Sequence, residues 1–395
     1  MESLFERSRQ KTRYAPVAFV RGIMDKIAWD ARLIGIRGAR GVGKTTLLLQ
    51  YIKLNLPRDH TVIYVSLDHI WFAEHKLYDF TDTFVKQGGK SLFLDEVHKY
   101  PNWAQEIKNI YDDFPELKIV FTGSSLLEIL NARADLSRRA VVYEIQGFSF
   151  REYLNRNLKT NFPVVTLHQI ISNHIQLSEN VLSQIKVFEH FPDYLKNGYY
   201  PFYNEMPALY SHRINEIISM SLEIELPMLR GVDVAFVPRI KQLLQIIAES
   251  VPFVPNITKL SERIGITRKS LLTYLYALEE SHLTIYLHKN ISGISKLQKP
   301  ERIFLENTNL MYALSGDVSK EGNVRETFFA NQLKESHRLQ YTPTGDFLID
   351  GMYTFEIGGR NKGTSQALPN AFVAADNIEY GMKDKIPLWL FGFLY

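Results

Sequence analysis

From Ala31 to about Phe150, short β-branched apolar runs alternate with amphipathic stretches. The runs predict strands at Leu33–Ile36, Thr61–Leu67, Ser91–Leu94, Lys118–Phe121 and Ala140–Ile145, with helices beginning near Lys44 and Trp103. Trp103, Ile107, Ile110, Tyr111 and Phe114 recur at helical spacing, a stripe that would pack on a sheet. Strand and helix in alternation predict a parallel α/β sheet. From about Ser149 to Ala235 the pattern turns helical, rich in Asn, His and Tyr and broken by Pro192, Pro201 and Pro207. Three amphipathic helices follow, the first carrying Ile240, Leu243, Leu244 and Ile247, the second at Ile257–Ile264 and the third at Arg268–Glu279. After Lys299 come strand-like runs, a helix near Glu326–Leu333 and more strands. The apolar ending IPLWLFGFLY reads as a final buried strand. The expected division is 1–150, 151–236, 237–298 and 299–395.

Composition agrees with several folded domains. The chain has 395 residues, 45% hydrophobic and 23% charged, which predicts two to four domains and excludes disorder over most of the length. With no cysteine, disulfides, thiolate zinc sites and a cysteine nucleophile are all excluded, and a reducing cytoplasm is the expected setting. The formal net charge of +3 excludes a globally basic, histone-like binder and leaves room for a local basic patch. The N-terminal MESLFERSRQKTRY lacks the apolar core of a signal peptide, and no run approaches the roughly 20 apolar residues of a membrane span. A soluble chain is expected.

Gly38-Ala39-Arg40-Gly41-Val42-Gly43-Lys44-Thr45 has the full spacing of a phosphate-binding loop, between a strand ending at Arg37 and an apolar helix that runs on through Thr46. Glycines let backbone N–H groups wrap the phosphates where a Cβ would obstruct them, and the helix N-terminus favours negative charge. Lys44 is expected on the β- and γ-phosphates, and the Thr45 hydroxyl on Mg²⁺. Ser91-Leu92-Phe93-Leu94-Asp95-Glu96 is an apolar run ending in two acids, as a doubly buried strand does when it delivers carboxylates to the ligand-binding edge of an α/β sheet. Asp95 is expected to hold the magnesium shell and Glu96 to orient and deprotonate the attacking water. The next strand ends in Thr122-Gly123-Ser124-Ser125, where Ser124 or Ser125, with Thr122 as the alternative, would sense the γ-phosphate. In Leu136-Ser137-Arg138-Arg139, an arginine, Arg138 in the first place, could stabilise charge developing on that phosphate.

The strings GARGVGKTTLL, SLFLDEVHKYPNW, IVFTGSSLLEIL and SRRAVVYEIQGFSFREYL together resemble the AAA-like P-loop ATPases of bacteria and archaea that carry a C-terminal domain of unknown function. GDFLIDGMYTFEIGG and IPLWLFGFLY extend the resemblance to the C-terminus, and it is weakest from about Asn155 to Ala235. His98 stands in a position that the family fills with Gln or His. Ser137-Arg138 stands where a glycine–arginine pair is usual, a departure that keeps the arginine. The resemblance implies an α/β P-loop NTPase sheet, a helical lid, a winged helix and a restriction-endonuclease-like α+β module. It also implies ATP rather than GTP, in keeping with the lack of an NKxD guanine motif. For His98 two readings stay open, a contact to phosphate or the sensing strand and a cap on the turn before Pro101.

Ile257 to Leu271 reads as helix, turn at Gly265, helix, with Thr267 as N-cap, the pattern of a helix-turn-helix. Thr267, Arg268, Lys269 and Thr273 would face outward near Lys259 and Arg263, and Leu283–His288 would form the first wing strand. Duplex DNA is one candidate partner for this face; a protein partner or a second copy is the other. In the C-terminal part Glu326, Asp346 or Asp350, and Glu356 are placed like nuclease carboxylates, but Gly358 stands where the catalytic lysine belongs. Lys362 is the nearest replacement, and a degenerate recognition or docking module is the expectation. There is no HExxH and no GxSxG. The sequence thus predicts a Mg²⁺-dependent ATPase switching the arrangement of its modules. The alternative is a nucleotide-gated binding module with negligible turnover.

Overall fold

The computed structural model describes residues 1–123, 136, 138–230, 232–250, 252–289, 299–315, 321–363 and 369–395. The chain divides into two compact units, Met1–Gly147 and Phe148–Tyr395.

The first unit is built on five parallel strands, β1 (Leu33–Arg37), β2 (Val62–Ser66), β3 (Ser91–Asp95), β4 (Lys118–Gly123) and β5 (Val141–Glu144), in the order β2-β3-β4-β1-β5. β4 lies between β1, the strand entering the phosphate-loop motif, and β3, the strand ending in the acid pair. Being central, β1, β3 and β4 are buried on both faces, which is why they read as unbroken apolar runs. On one face Leu33, Leu92, Leu94, Ile119 and Phe121 pack with Phe80, Phe84, Trp103, Ile107 and Ile110. The last three come from the helix Trp103–Asp113 and the two phenylalanines from Leu77–Lys86, a helix that strand-and-turn reading passed over. It also passed over an N-terminal helix, Glu2–Tyr14, which buries Leu4, Ser8 and Thr12 at four-residue spacing. Ser8 Oγ accepts the backbone N–H of Tyr64 at 2.9 Å, occupying a donor of the edge strand β2.

In the second unit the elements described from Phe150 to Phe236 are all helical turns, including Phe150–Leu158, Leu167–Leu182 and Tyr210–Met220. Phe150 packs against Phe191, Tyr194 and Phe393, and Tyr199 and Tyr200 are buried. The helices Val237–Glu249, Ile257–Ile264 and Arg268–Glu280 precede a hairpin of β6 (Thr284–Leu287) and β7 (Arg302–Leu305). Gly265 caps the second of these helices at φ 71°, and the Thr267 hydroxyl accepts the N–H of Ser270 to start the third. Lys259, Arg263, Thr267, Arg268, Lys269 and Thr273 are all exposed.

The C-terminal sheet has β8 (Leu339–Gln340), β9 (Phe347–Ile349), β10 (Tyr353–Gly358), β11 (Ala371–Ala375) and β12 (Lys385–Pro387) in the order β12-β11-β10-β9-β8. β10, β11 and β12 run parallel, and β8 and β9 are antiparallel additions. Phe329, from the helix Glu321–Leu333, packs on Phe347, Phe355 and Phe391. The expected final strand is corrected here. Only its start lies in β12, and Leu388–Phe393 is a buried 3₁₀ helix. Every one of its six residues is buried, so the run has no alternation to hold it in a ladder, and Pro387 brings no N–H to one.

Candidate nucleotide-binding site

β1 ends at Arg37, the glycine-rich loop follows, and the helix Lys44–Asn55 begins at its far side. Gly38 could carry no side chain, since an added Cβ would lie 2.2 Å from the carbonyl oxygen of Ile145. Gly41 and Gly43 have φ of 83° and 98°, values that L side chains rarely adopt. Val42 is fully buried, while Ala39 and Arg40 are partly exposed. Arg21 braces the loop, its guanidinium donating to the carbonyls of Val42 (3.2 Å), Gln146 (2.5 Å) and Gly147 (2.9 Å). Lys44 is buried, and its ammonium donates to the carbonyls of Gly38 (2.9 Å) and Ala39 (2.8 Å).

Asp95 ends β3 and is 2% exposed. Its Oδ2 accepts from the Thr45 hydroxyl (2.7 Å) and from the Tyr64 phenol (2.6 Å), and its Oδ1 accepts from Thr122. Burial and the Asp95 charge together push the Tyr64 phenol far above its ordinary range, so it acts as a donor. Thr122 Oγ1 also accepts the backbone N–H of Glu96 at 3.1 Å, so one hydroxyl ties the two acids together. Glu96 sits at φ 53°, ψ 40°, and its Oε2 lies 3.5 Å from His98 Nε2. His98 is buried, and its imidazole is pushed down to about 3 by burial and then by the charges of Lys99, Lys44 and Arg40.

A hydroxyl and a carboxylate oxygen 2.7 Å apart at the mouth of a glycine-rich loop are hard oxygen donors of the kind that hold Mg²⁺. Residues 30–154 match the model of a family described as the AAA domain. This segment is an AAA-type P-loop domain. No curated protein matches the chain. Among solved structures it is similar to AMPPCP-bound DnaA from Aquifex aeolicus, at 14% identity over 65% of this chain and 84% of that one, TM-score 0.26. It is also similar to C. elegans PCH-2 (16%, 71% and 66%, TM-score 0.25) and to the S. cerevisiae Hsp104–ADP complex (16%, 70% and 41%, TM-score 0.31). Likeness at this level carries nothing about what the chain binds.

Within the AAA domain the structure brings together Lys44, Thr45, Asp95, Glu96 and Thr122; Thr46 follows in the first turn of the helix. Ser124, Ser125 and Ser137 lie outside the described residues. Arg138 is exposed in the turn before β5, and among the described residues no hydrogen bond joins it to Asp95. Its neighbour Arg139 is held by both carboxylate oxygens of Asp112, at 2.9 and 3.0 Å. Sequence reasoning missed Tyr64, which sits inside an apolar run where an aromatic reads as core. Its one signal is the parallel register, which sets Tyr64 beside Phe93, two residues before Asp95.

In the second unit Glu326, Asp346, Glu356 and Lys362 converge, whereas Asp350 turns away to His337 and the Arg338 N–H. Lys362 reaches Glu356 at 3.0 Å by laying its side chain over Gly358, where an added Cβ would meet Lys362 Cβ at 2.5 Å. Arg302 stands between the other two acids, 3.1 Å from Asp346 Oδ1 and 3.8 Å from Glu326 Oε2. Burial and then the Asp346 charge push Glu326 up to about 7. Arg302 and Lys362 are set against these acids, and among the described residues no group of three or more carboxylates or histidines is placed to hold a metal ion.

Proposed function

We propose that the chain is a Mg²⁺-dependent ATPase whose hydrolysis step switches the arrangement of its other modules. The observation that carries this reading is the 2.7 Å bond between Thr45 and Asp95, which joins the phosphate loop to the acid pair. In the proposed reaction Lys44 leaves the loop carbonyls for the β- and γ-phosphates, whose remaining charge the backbone N–H groups of the loop meet. Thr45 and Asp95 would hold Mg²⁺, which when bound neutralises charge on the phosphate oxygens. Glu96 orients a water in line with the γ-phosphate and takes its proton. Arg138, exposed and with no hydrogen bond to Asp95 among the described residues, suits a role completed by a conformational change or by a neighbouring copy.

The test pairs two variants. Lys44→Ala should abolish nucleotide binding; Glu96→Gln should bind ATP and not turn it over. Normal hydrolysis by the Glu96→Gln protein overturns the assignment.

A winged-helix reading of residues 237–298, with duplex DNA as partner, draws support from one observation. Lys259 and Arg263 on the first helix of the pair, and Arg268 and Lys269 at the start of the second, are all exposed, and none is in an ion pair among the described residues. Duplex affinity at low salt that falls steeply with added salt is the expected result. A flat gel-shift titration at low salt rejects it.

A further inference from the structure

The acid pair is followed at once by a 3₁₀ turn, Val97–Lys99, that carries His98 back under Glu96. The His98 side chain is 1% exposed, and its Nε2 lies 3.5 Å from Glu96 Oε2, longer than an ordinary hydrogen bond and short enough that a small turn of the carboxylate would form one. Glu96 holds a left-handed backbone conformation that a residue with a Cβ adopts at a cost on the order of 1 kcal/mol. Such a conformation persists where the surroundings fix it. Here Thr122 holds the Glu96 backbone N–H from one side, and His98 meets the carboxylate from the other.

We infer that His98 is a positioning residue that aims the Glu96 carboxylate at the water it activates. The inference rests on the reading of Glu96 as the base. Charge explains why an imidazole suits the task. A cation beside Glu96 would lower the basicity of its carboxylate and weaken it as a base. His98 lies among Lys44, Arg40 and Lys99 and is buried, which keeps its ring neutral against the opposing pull of Asp68. A neutral ring N–H can orient a carboxylate without discharging it. His98 itself takes no proton from the substrate.

The test compares His98→Gln, which keeps a neutral N–H donor, with His98→Met, which matches it in length and has none. Glu96→Gln is run beside them. Steady-state ATP hydrolysis, equilibrium binding of a fluorescent ATP analogue and a thermal melt are measured for each. His98→Gln should retain kcat within about threefold. His98→Met should lose about 10- to 100-fold in kcat, with analogue affinity changed by less than about threefold, the pattern of a misaimed group. Equal kcat for the two variants overturns the inference, whether both are active or both are not. Failure of both to fold assigns His98 to the core and overturns it as well. Should Glu96→Gln hydrolyse ATP normally, the reading of Glu96 fails, and that outcome is separate from any difference between the two His98 variants.

Discussion

Thr45 Oγ1 donates a 2.7 Å hydrogen bond to Asp95 Oδ2, joining the first turn of the helix after the loop to the end of β3. Thr122 and Tyr64 donate to the same carboxylate, so three hydroxyls from three elements meet one buried charge. Only Thr45 belongs to the loop that would hold phosphate. The other two fix Asp95 whether or not Thr45 turns to a metal, and each is therefore a separate handle on that acid.

Tyr64→Phe removes one donor at nearly constant volume. The Mg²⁺ concentration giving half-maximal ATPase should rise about 10- to 100-fold, as loss of a partner behind a metal-holding carboxylate does. Stability should fall by about 1–3 kcal/mol in urea denaturation, the worth of a hydrogen bond to a charged group. Asp95→Asn should lower turnover more than Tyr64→Phe at any Mg²⁺ concentration. An unchanged Mg²⁺ titration for Tyr64→Phe would show that the phenol serves stability alone.

Gly38→Ala and Gly265→Ala separate crowding from backbone strain. At Gly38 the new methyl would enter the carbonyl oxygen of Ile145, which belongs to the backbone and cannot rotate aside. The expected cost is about 2–3 kcal/mol, with loss of nucleotide binding. At Gly265 no atom of the described residues lies within 4 Å of the added methyl, so the φ of 71° is what opposes a side chain and the cost should be about 1 kcal/mol. Chemical denaturation of both variants, with nucleotide binding measured for the first, checks the contrast.

Glu326 makes stability depend on pH. An ordinary glutamate releases its proton near 4.5, whereas Glu326 in the folded chain keeps it up to about 7. Between those values the folded chain binds more protons than the unfolded chain, so this group's contribution falls as pH rises through the window and levels off above it. Glu326→Gln should remove that slope and leave the variant more stable than the parent at pH 8, by an amount on the order of 1–3 kcal/mol. The difference in urea midpoint between parent and variant, taken at pH 5 and pH 8, isolates the effect. A difference that does not grow with pH rejects it.

The phosphate loop and the acid pair were legible because their chemistry needs contiguous residues at the ends of buried strands, and both burial and spacing are written in one dimension. Tyr64, His98 and Arg302 were not legible as parts of their sites. Tyr64 reaches Asp95 across the sheet, through a strand register that sequence does not state. For His98 the sequence left open a contact to phosphate or the sensing strand and a cap on the turn before Pro101, and neither reading put its ring beside Glu96, where the fold buries it. Lys362 stands four residues past the expected position, yet the turn at Gly359 folds its stem over the bare backbone of Gly358. The C-terminal run was read as buried, which it is. Uniformly apolar sequence has no period from which strand and 3₁₀ helix can be told apart.

The bond from the Tyr64 N–H to Ser8 carries a consequence for any shortened form of this protein. An edge strand with open backbone groups is a template on which another chain can add a strand. The N-terminal helix covers that template on β2, and the same residue it covers reaches through its phenol to Asp95. Proteolytic removal of the first fourteen residues would thus uncover an adhesive sheet edge beside Asp95, the acid proposed to hold Mg²⁺, joining a risk of aggregation to a loss of the proposed activity.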